Sequence, residues 1–289
     1  GCVSSVLGYV AIVVASVMWS LSPALISRYK SVVRPIIFTG LRALVASLSV
    51  FLVLLYQNTD LGVQEPDALF LIVLSALVGP GLGDVCFTKS IKILGGFVAV
   101  VLSYTYIFVA QAIAVTFLNE FMKTSLVLGA VLAFTGVVLV AGSDSSHLRV
   151  ERGGIAYAVL ASISWGISTA LIKVALRFTS EALLALLRLT TIFVVFLPLG
   201  LVVEGLPARG GFKQLLVVAS VTAVLDWSLG MYLFIYSIGS IGVSATVVAT
   251  ALTPTLATVT TKFLAGERFS VKHFLGVLMT SVGILITAF

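Results

Sequence analysis

Apolar residues run through this chain in blocks of about twenty, separated by short clusters of glycine, proline and charge. The blocks lie near residues 5–28, 35–56, 68–93, 96–118, 124–142, 154–176, 181–203, 212–238, 241–264 and 270–289. Each is long enough to cross a hydrocarbon core about 30 Å thick as a helix rising about 1.5 Å per residue. The connections are short, so they cannot hold a separate catalytic domain, and any chemistry has to lie between the helices. The pattern predicts an all-α fold, a polytopic membrane protein with ten transmembrane helices.

The two halves of the pattern repeat each other. ASVMWSLSPALIS at 15–27 aligns with ASISWGISTALIK at 161–173, which sets Trp19 over Trp165 at an offset of 146. The same offset sets Gly8 over Gly154 and Arg42 over Arg188. Farther along it becomes 147, with Ser90-Ile91 over Ser237-Ile238, Glu120 over Glu267, Gly129 over Gly276 and Gly136 over Gly283. Five spans is an odd number, so the second half has to enter the membrane from the opposite face. The expected organisation is therefore two five-helix inverted repeats, 5–142 and 154–289, joined by a linker at 143–153. That architecture places a solute site near the bilayer midplane, between the halves.

Composition narrows the class. The 289 residues are 60% hydrophobic and 10% charged, against roughly 25% charged in soluble domains, and the mean hydropathy is +1.21. No stretch is left over to form a soluble domain. The net charge of +6 comes from Lys and Arg gathered at the ends of the apolar runs, where they meet headgroups, so nucleic acid is not an expected partner. The bilayer and a small-molecule solute are. On this ten-span reading the face with the termini keeps only Lys123, Lys173 and Arg177 outside the spans, and positive-inside logic puts that face outside. The first run lacks a basic n-region and an A-x-A-like exit, so it reads as a retained span of a multi-pass protein of the cell membrane. Cys2 and Cys86 lie in different runs and make neither a disulfide framework nor a metal site, and no cofactor motif is present.

Candidate chemistry sits where the apolar pattern is broken. The stretch LVGPGLGDVCF at 77–87 puts a proline, three glycines and Asp84 inside an apolar run. Asp84 and Asp226 are each about fifteen residues into a span, or roughly 21 Å along a helix. A carboxylate at that depth is costly unless it is paired, protonated or facing water. It is either a proton-coupling group or a packing acid locked to an arginine. Arg42 and Arg188 fall early in the second and seventh spans, and Arg42 lies at a depth that lets it pair with Asp84. A guanidinium fork can hold a carboxylate or phosphate of the solute, or it can tie helix ends together. Pro80 removes a backbone hydrogen bond. With Gly79, Gly81 and Gly83 it forms a candidate hinge lining a cavity, although Gly79 and Gly83 also suit close helix packing.

Aromatic residues supply a candidate cavity wall in Trp19, Trp165, Tyr104, Tyr106, Trp227, Tyr232 and Tyr236, beside the polar Gln111. Interfacial aromatic belts are the competing explanation. Glu120 and Glu267 are expected to cap or brace the turns into the fifth and tenth spans. His147 and His273 are expected to be solvated. Gly129, Gly136, Gly276 and Gly283 form small-residue seams that pack one half on the other or make a dimer face, so the expected state is monomer or homodimer.

Two five-span halves, each with a small-residue and tryptophan motif in its first span (ASVMWS, ASISWG) and an arginine in its second, resemble the drug/metabolite transporter superfamily, EamA type. Acidic turns after the fourth spans (FLNE, LAGE) and a Gly-x6-Gly fifth span in each half extend the resemblance over the whole chain. It implies export or exchange of small organic solutes such as amino acids, nucleotide-sugars or sugar phosphates, and termini in the cytoplasm, opposite to the orientation that the charge count favours. The fourth-span proline of that family is present as Pro254 in LTPTLA, a further candidate hinge. Its partner position is Ile107 in SYTYIFVA, so the first half is expected to lack that distortion.

The expected function is secondary transport of small polar or amphipathic solutes by alternating access, as a proton-coupled exporter. Asp84 or Asp226 would couple the proton, and Trp19, Arg42, Tyr104, Tyr106, Gln111, Trp165, Arg188 and Tyr232 would form the solute site. Rival readings are an exchanger or facilitator of anionic metabolites, and, from another class, a lipid-handling membrane protein or a channel. An enzyme is not expected, because the paired His, Asp or Ser motifs of intramembrane catalysts are absent.

Overall fold

Helices carry almost all of the chain because apolar backbone in a bilayer has to satisfy its own amide and carbonyl groups. The computed structural model describes residues 2–56, 66–121, 124–141, 151–268 and 270–286. The first half holds α1 (Cys2–Trp19), α2 (Leu21–Arg28), α3 (Pro35–Tyr56), α4 (Pro66–Ala76), α5 (Asp84–Leu94), α6 (Gly96–Ser103), α7 (Tyr106–Phe117) and α8 (Thr124–Ala141). The second holds α9 (Arg152–Ala175), α10 (Glu181–Val203), α11 (Arg209–Thr222), α12 (Met231–Ile241), α13 (Val243–Ala249), α14 (Leu252–Thr260) and α15 (Val271–Ile286). Most of the linker, with His147, lies outside the described residues.

Among the described residues, eight helical runs are long and apolar enough to cross a membrane, and several join two short helices through a distorted turn. Two apolar stretches, Val127–Leu139 in α8 and Val271–Ile286, are shorter than that measure. The exposed surface is greasy: Val131, Phe134 and Val138 on α8, and Val195, Leu199 and Val202 on α10 all face outward. Many serines and threonines and both intramembrane arginines are buried instead.

The packing comes in matched pairs across the halves. Helix α3 lies along α10, and α8 along α15. The first helix of each half packs on the third-span helix of the other, α1 on α12 and α9 on α5. Gly8 closes on Ile241 and Ser240, and its repeat partner Gly154 closes on Leu94 and Ile93. The glycine seams are an internal contact: a methyl on Gly136 would lie 2.4 Å from the Gly276 carbonyl oxygen, and one on Gly283 would lie 2.5 Å from that of Gly129.

Distorted turns occur at equivalent places in both halves. A π-helical segment, Leu77–Gly83, joins α4 to α5, and another, Ala223–Gly230, joins α11 to α12. Pro80 explains the first, because its ring displaces a regular helical hydrogen bond. In the second, where no proline stands, Ser228 Oγ donates to the Ala223 carbonyl five residues back at 3.2 Å. The fourth spans also break twice. α13 gives way to α14 ahead of Pro254, and α6 gives way to α7 at Tyr104-Thr105 with no proline. The expectation that the first half lacks this distortion is therefore overturned. The Thr105 hydroxyl donates to the Leu102 carbonyl at 2.7 Å, as Thr250 does to Val247 at 2.6 Å, and a side chain competing for a helix carbonyl loosens the turn without a proline. Tyr106 Oη lies 2.9 Å from Thr250 Oγ1 and ties one break to the other.

Two further expectations are corrected. His273 is buried rather than solvated, packs beside Phe97 and receives the Ser270 amide on Nδ1 at 3.2 Å. Glu120 and Glu267 cap the opposite half rather than the helices that follow them, α8 and α15. Glu267 accepts the amides of Gly96 and Phe97 at 2.6 and 2.9 Å, which open α6, and the Ser27 hydroxyl. Glu120 accepts the amides of Val243 and Ser244 at 3.0 and 3.1 Å, which open α13, and the Ser244 hydroxyl. Each carboxylate meets the positive end of its helix, where free amides need an acceptor. The residues before those starts, Gly95 (φ 85) and Gly242 (φ 87), hold a backbone conformation that only glycine adopts readily, and they leave room for the carboxylate.

Candidate functional site

A cavity of about 120 Å³ lies between the halves. Its charged lining is Arg42, Asp84, Arg188 and Asp226, and its aromatic lining is Trp19, Phe87, Tyr104, Tyr106, Trp165, Trp227 and Phe234. An apolar cavity of about 150 Å³ holds one benzene, so this one suits a solute of modest size.

Arg42 is the centre of the charge pattern. Its Nη1 lies 3.6 Å from Asp84 Oδ1, and its Nη2 donates to Asp226 Oδ2 at 3.0 Å. The guanidinium stacks over the Trp227 ring at 4.3 Å, which adds a cation–π contact. Asp226 also accepts the Ser22 hydroxyl, while Trp165 Nε1 donates to Asp84 Oδ2 at 3.1 Å. Burying such a cluster costs several kcal/mol per ion before pairing, so the two-carboxylate bridge is what keeps Arg42 inside.

Arg188 is held differently. Its Nη1 donates to Ser75 Oγ at 2.7 Å and to Ser168 Oγ at 3.3 Å, and Nη2 also reaches Ser168 Oγ at 3.3 Å. Among the described residues no carboxylate lies within 4.0 Å of it. It is 3% exposed, and its Nε has no partner.

The tryptophans are placed by glycine. Trp165 lies against Gly83, where a methyl would come within 2.6 Å of its ring, and Trp19 lies against Gly230 at the same 2.6 Å. Trp19 Nε1 donates to the Asp226 backbone carbonyl at 3.1 Å. Trp165, Phe87, Tyr104 and Tyr106 then build an edge-to-face wall with centroids 4.9–6.0 Å apart.

Of the residues singled out in the sequence, Trp19, Arg42, Gly79, Pro80, Asp84, Tyr104, Tyr106, Trp165, Arg188, Asp226 and Trp227 line this cavity. Tyr232 does not; it is 36% exposed on α12. Gln111 is buried in α7 and also stands apart from the lining, as do Gly81, Gly83 and Pro254. Sequence reasoning missed Ser22 and Ser168, which touch the charged groups. Their signal was present, because both stand three residues after the repeated tryptophan.

Comparison with known proteins agrees with the geometry. Residues 6–142 match the EamA-like transporter family, and residues 152–289 match it a second time. The uncharacterized transporter YoaV of Bacillus subtilis (strain 168) is 22% identical over 258 residues, 88% of this chain and 87% of its own. A solved crystal structure at 15% identity superposes with a TM-score of 0.73, covering 99% of this chain and 96% of that one, and shares the fold.

Proposed function

The chain belongs to the EamA-like transporter family, and we propose that it is a ten-span, proton-coupled secondary transporter of small organic solutes. It is a multi-pass integral membrane protein. In this reading α8 and α15 complete the ten spans, and the repeats 5–142 and 154–289 are inverted about an axis in the membrane plane. Solute binds in the cavity between them. Alternating access follows from rocking one repeat against the other about the distorted turns at Leu77–Gly83, Ala223–Gly230 and the two fourth-span breaks.

The observation that carries this reading is the Asp84–Arg42–Asp226 cluster in the wall of the cavity. Two carboxylates sharing one guanidinium can exchange a proton without leaving the arginine unpaired, which suits an ion-coupling site better than a static brace. The aromatic wall suits an organic solute with an apolar body. The anion-exchanger alternative draws on the two arginines, but Arg42 is already held by both carboxylates.

The test is lumenal pH in proteoliposomes challenged with pools of amino acids, sugar phosphates, nucleotide-sugars and organic cations. A solute-dependent pH change is expected in the wild type, and its loss in Asp84→Asn or Asp226→Asn identifies the coupling carboxylate. Solute flux with no pH change, retained in both variants, would replace proton coupling with exchange.

A further inference from the structure

The two halves differ in where they place a cavity carboxylate, with Gly79 against Asp226 and Asp84 against Met231. In one half, the Ser22 hydroxyl and the Arg42 guanidinium both donate to one carboxylate oxygen of Asp226. The repeat sets Ser22 over Ser168 and Arg42 over Arg188 at the offset of 146, and Gly79 over Asp226 at the offset of 147. The corresponding three residues also meet in space. Ser168 Oγ lies 3.3 Å from both terminal nitrogens of Arg188, and a Cβ on Gly79 would lie 3.5 Å from Arg188 Nη2. That Cβ would also fall 2.1 Å from Ser168 Oγ, so no side chain can occupy the place from this backbone. The second arginine thus keeps its hydroxyl partner but lacks the carboxylate that its counterpart has.

A buried guanidinium whose hydrogen bonds all go to neutral hydroxyls is unfavourable, and Asp84, the carboxylate that Arg188 faces, lies beyond 4.0 Å. Arg188 lines the cavity. We propose that the transported solute supplies the missing group: a small solute bearing one carboxylate binds with that carboxylate on Arg188, where the repeat has an aspartate, and its apolar body lies against the aromatic wall. The assignment rests on the transport reading above. A doubly charged phosphate ester fits less well, because the second cavity cation is already held by Asp84 and Asp226.

Charge balance then sets the coupling. Asp84 faces Arg42 on α3, Arg188 on α10 and the Trp165 indole N–H on α9. Asp226 faces Arg42 and the Ser22 hydroxyl, and Tyr104 lies near both carboxylates. With both aspartates ionised the four charges cancel, so a bound carboxylate leaves one negative charge in excess. One proton on either aspartate removes it. A monocarboxylate therefore travels with one proton, and a carboxylate that also carries an ammonium group travels with none.

The experiment is thermal unfolding of the purified protein in detergent with acetate, benzoate or phenylacetate, and with the neutral phenylacetamide and phenyl phosphate as comparators. At least one carboxylate is expected to raise the unfolding temperature saturably. Phenylacetamide is expected to have no effect, and the shift is expected to vanish in Arg188→Gln and to weaken in Arg188→Lys. A response to none of the three carboxylates, an equal response to the amide, a stronger response to phenyl phosphate, or an undiminished shift in both variants overturns the assignment. Flux separates this from the broader reading. If Arg188→Gln carries wild-type solutes undiminished, transport stands and the assignment falls; if carboxylates bind through Arg188 but nothing moves, the transport reading falls.

Discussion

Arg42 holds two carboxylates that would otherwise face each other as like charges. Removing it as Arg42→Ala leaves Asp226 without its counter-ion and Asp84 with only the more distant Arg188, a change expected to cost about 3–5 kcal/mol. Asp226→Asn leaves Arg42 its partner Asp84 and is expected to cost less. Unfolding temperatures of the two variants in the same detergent check the order, and a smaller loss in Arg42→Ala would mean that the cluster is not a shared bridge. The Arg42–Asp84 pair was legible in the sequence from depth alone. Asp226 was legible as a deep acid, but its partner was not, because that contact joins residues 184 positions apart. The serines escaped notice because a hydroxyl in an apolar helix most often bonds its own turn, as Ser16 does to Ile12.

At the scale of elements, the distorted turns and the tryptophans that face them act together. Gly83 and Gly230 sit at the ends of the two π segments, and each receives the edge of a tryptophan from the other half. Gly83→Ala and Gly230→Ala are each expected to cost about 1–3 kcal/mol through overpacking. Gly153→Ala, where an added methyl meets nothing within 4 Å, is expected to be neutral or slightly stabilising. Chemical or thermal unfolding of the three variants measures the difference, and equal losses would remove the packing role given to the π segments. The first π segment could be read from Pro80 and its glycines. The second and the break at Tyr104-Thr105 could not, since hydroxyl bonds create them and such bonds leave no breaker residue in the sequence.

The whole molecule is bound together by reciprocal contacts, in which what one half does for the other is done in return. The repeat that produces this was visible in the sequence as two offsets, and the family match falls twice on the chain, over 6–142 and 152–289. Which helices pair across the halves was not visible, because the seam glycines were equally compatible with a dimer face. Glu120→Gln and Glu267→Gln each weaken a carboxylate cap on the opposite half and are expected to cost about 1–2 kcal/mol. If unfolding of the variants shows a loss in one and none in the other, the two caps are not equivalent.

Those caps also bear on how the chain could be made in two pieces. Divided between residues 146 and 147, the first fragment would carry the uncapped start of α6 and a Glu120 with no amides to receive, and the second fragment would carry the opposite deficiency. Expressed singly, each is expected to be cleared by proteolysis. Expressed together, each is expected to complete the other and accumulate as a stoichiometric complex, detectable by co-purification through a tag on one fragment. Seen this way, the protein is two incomplete parts, each of which supplies what the other lacks.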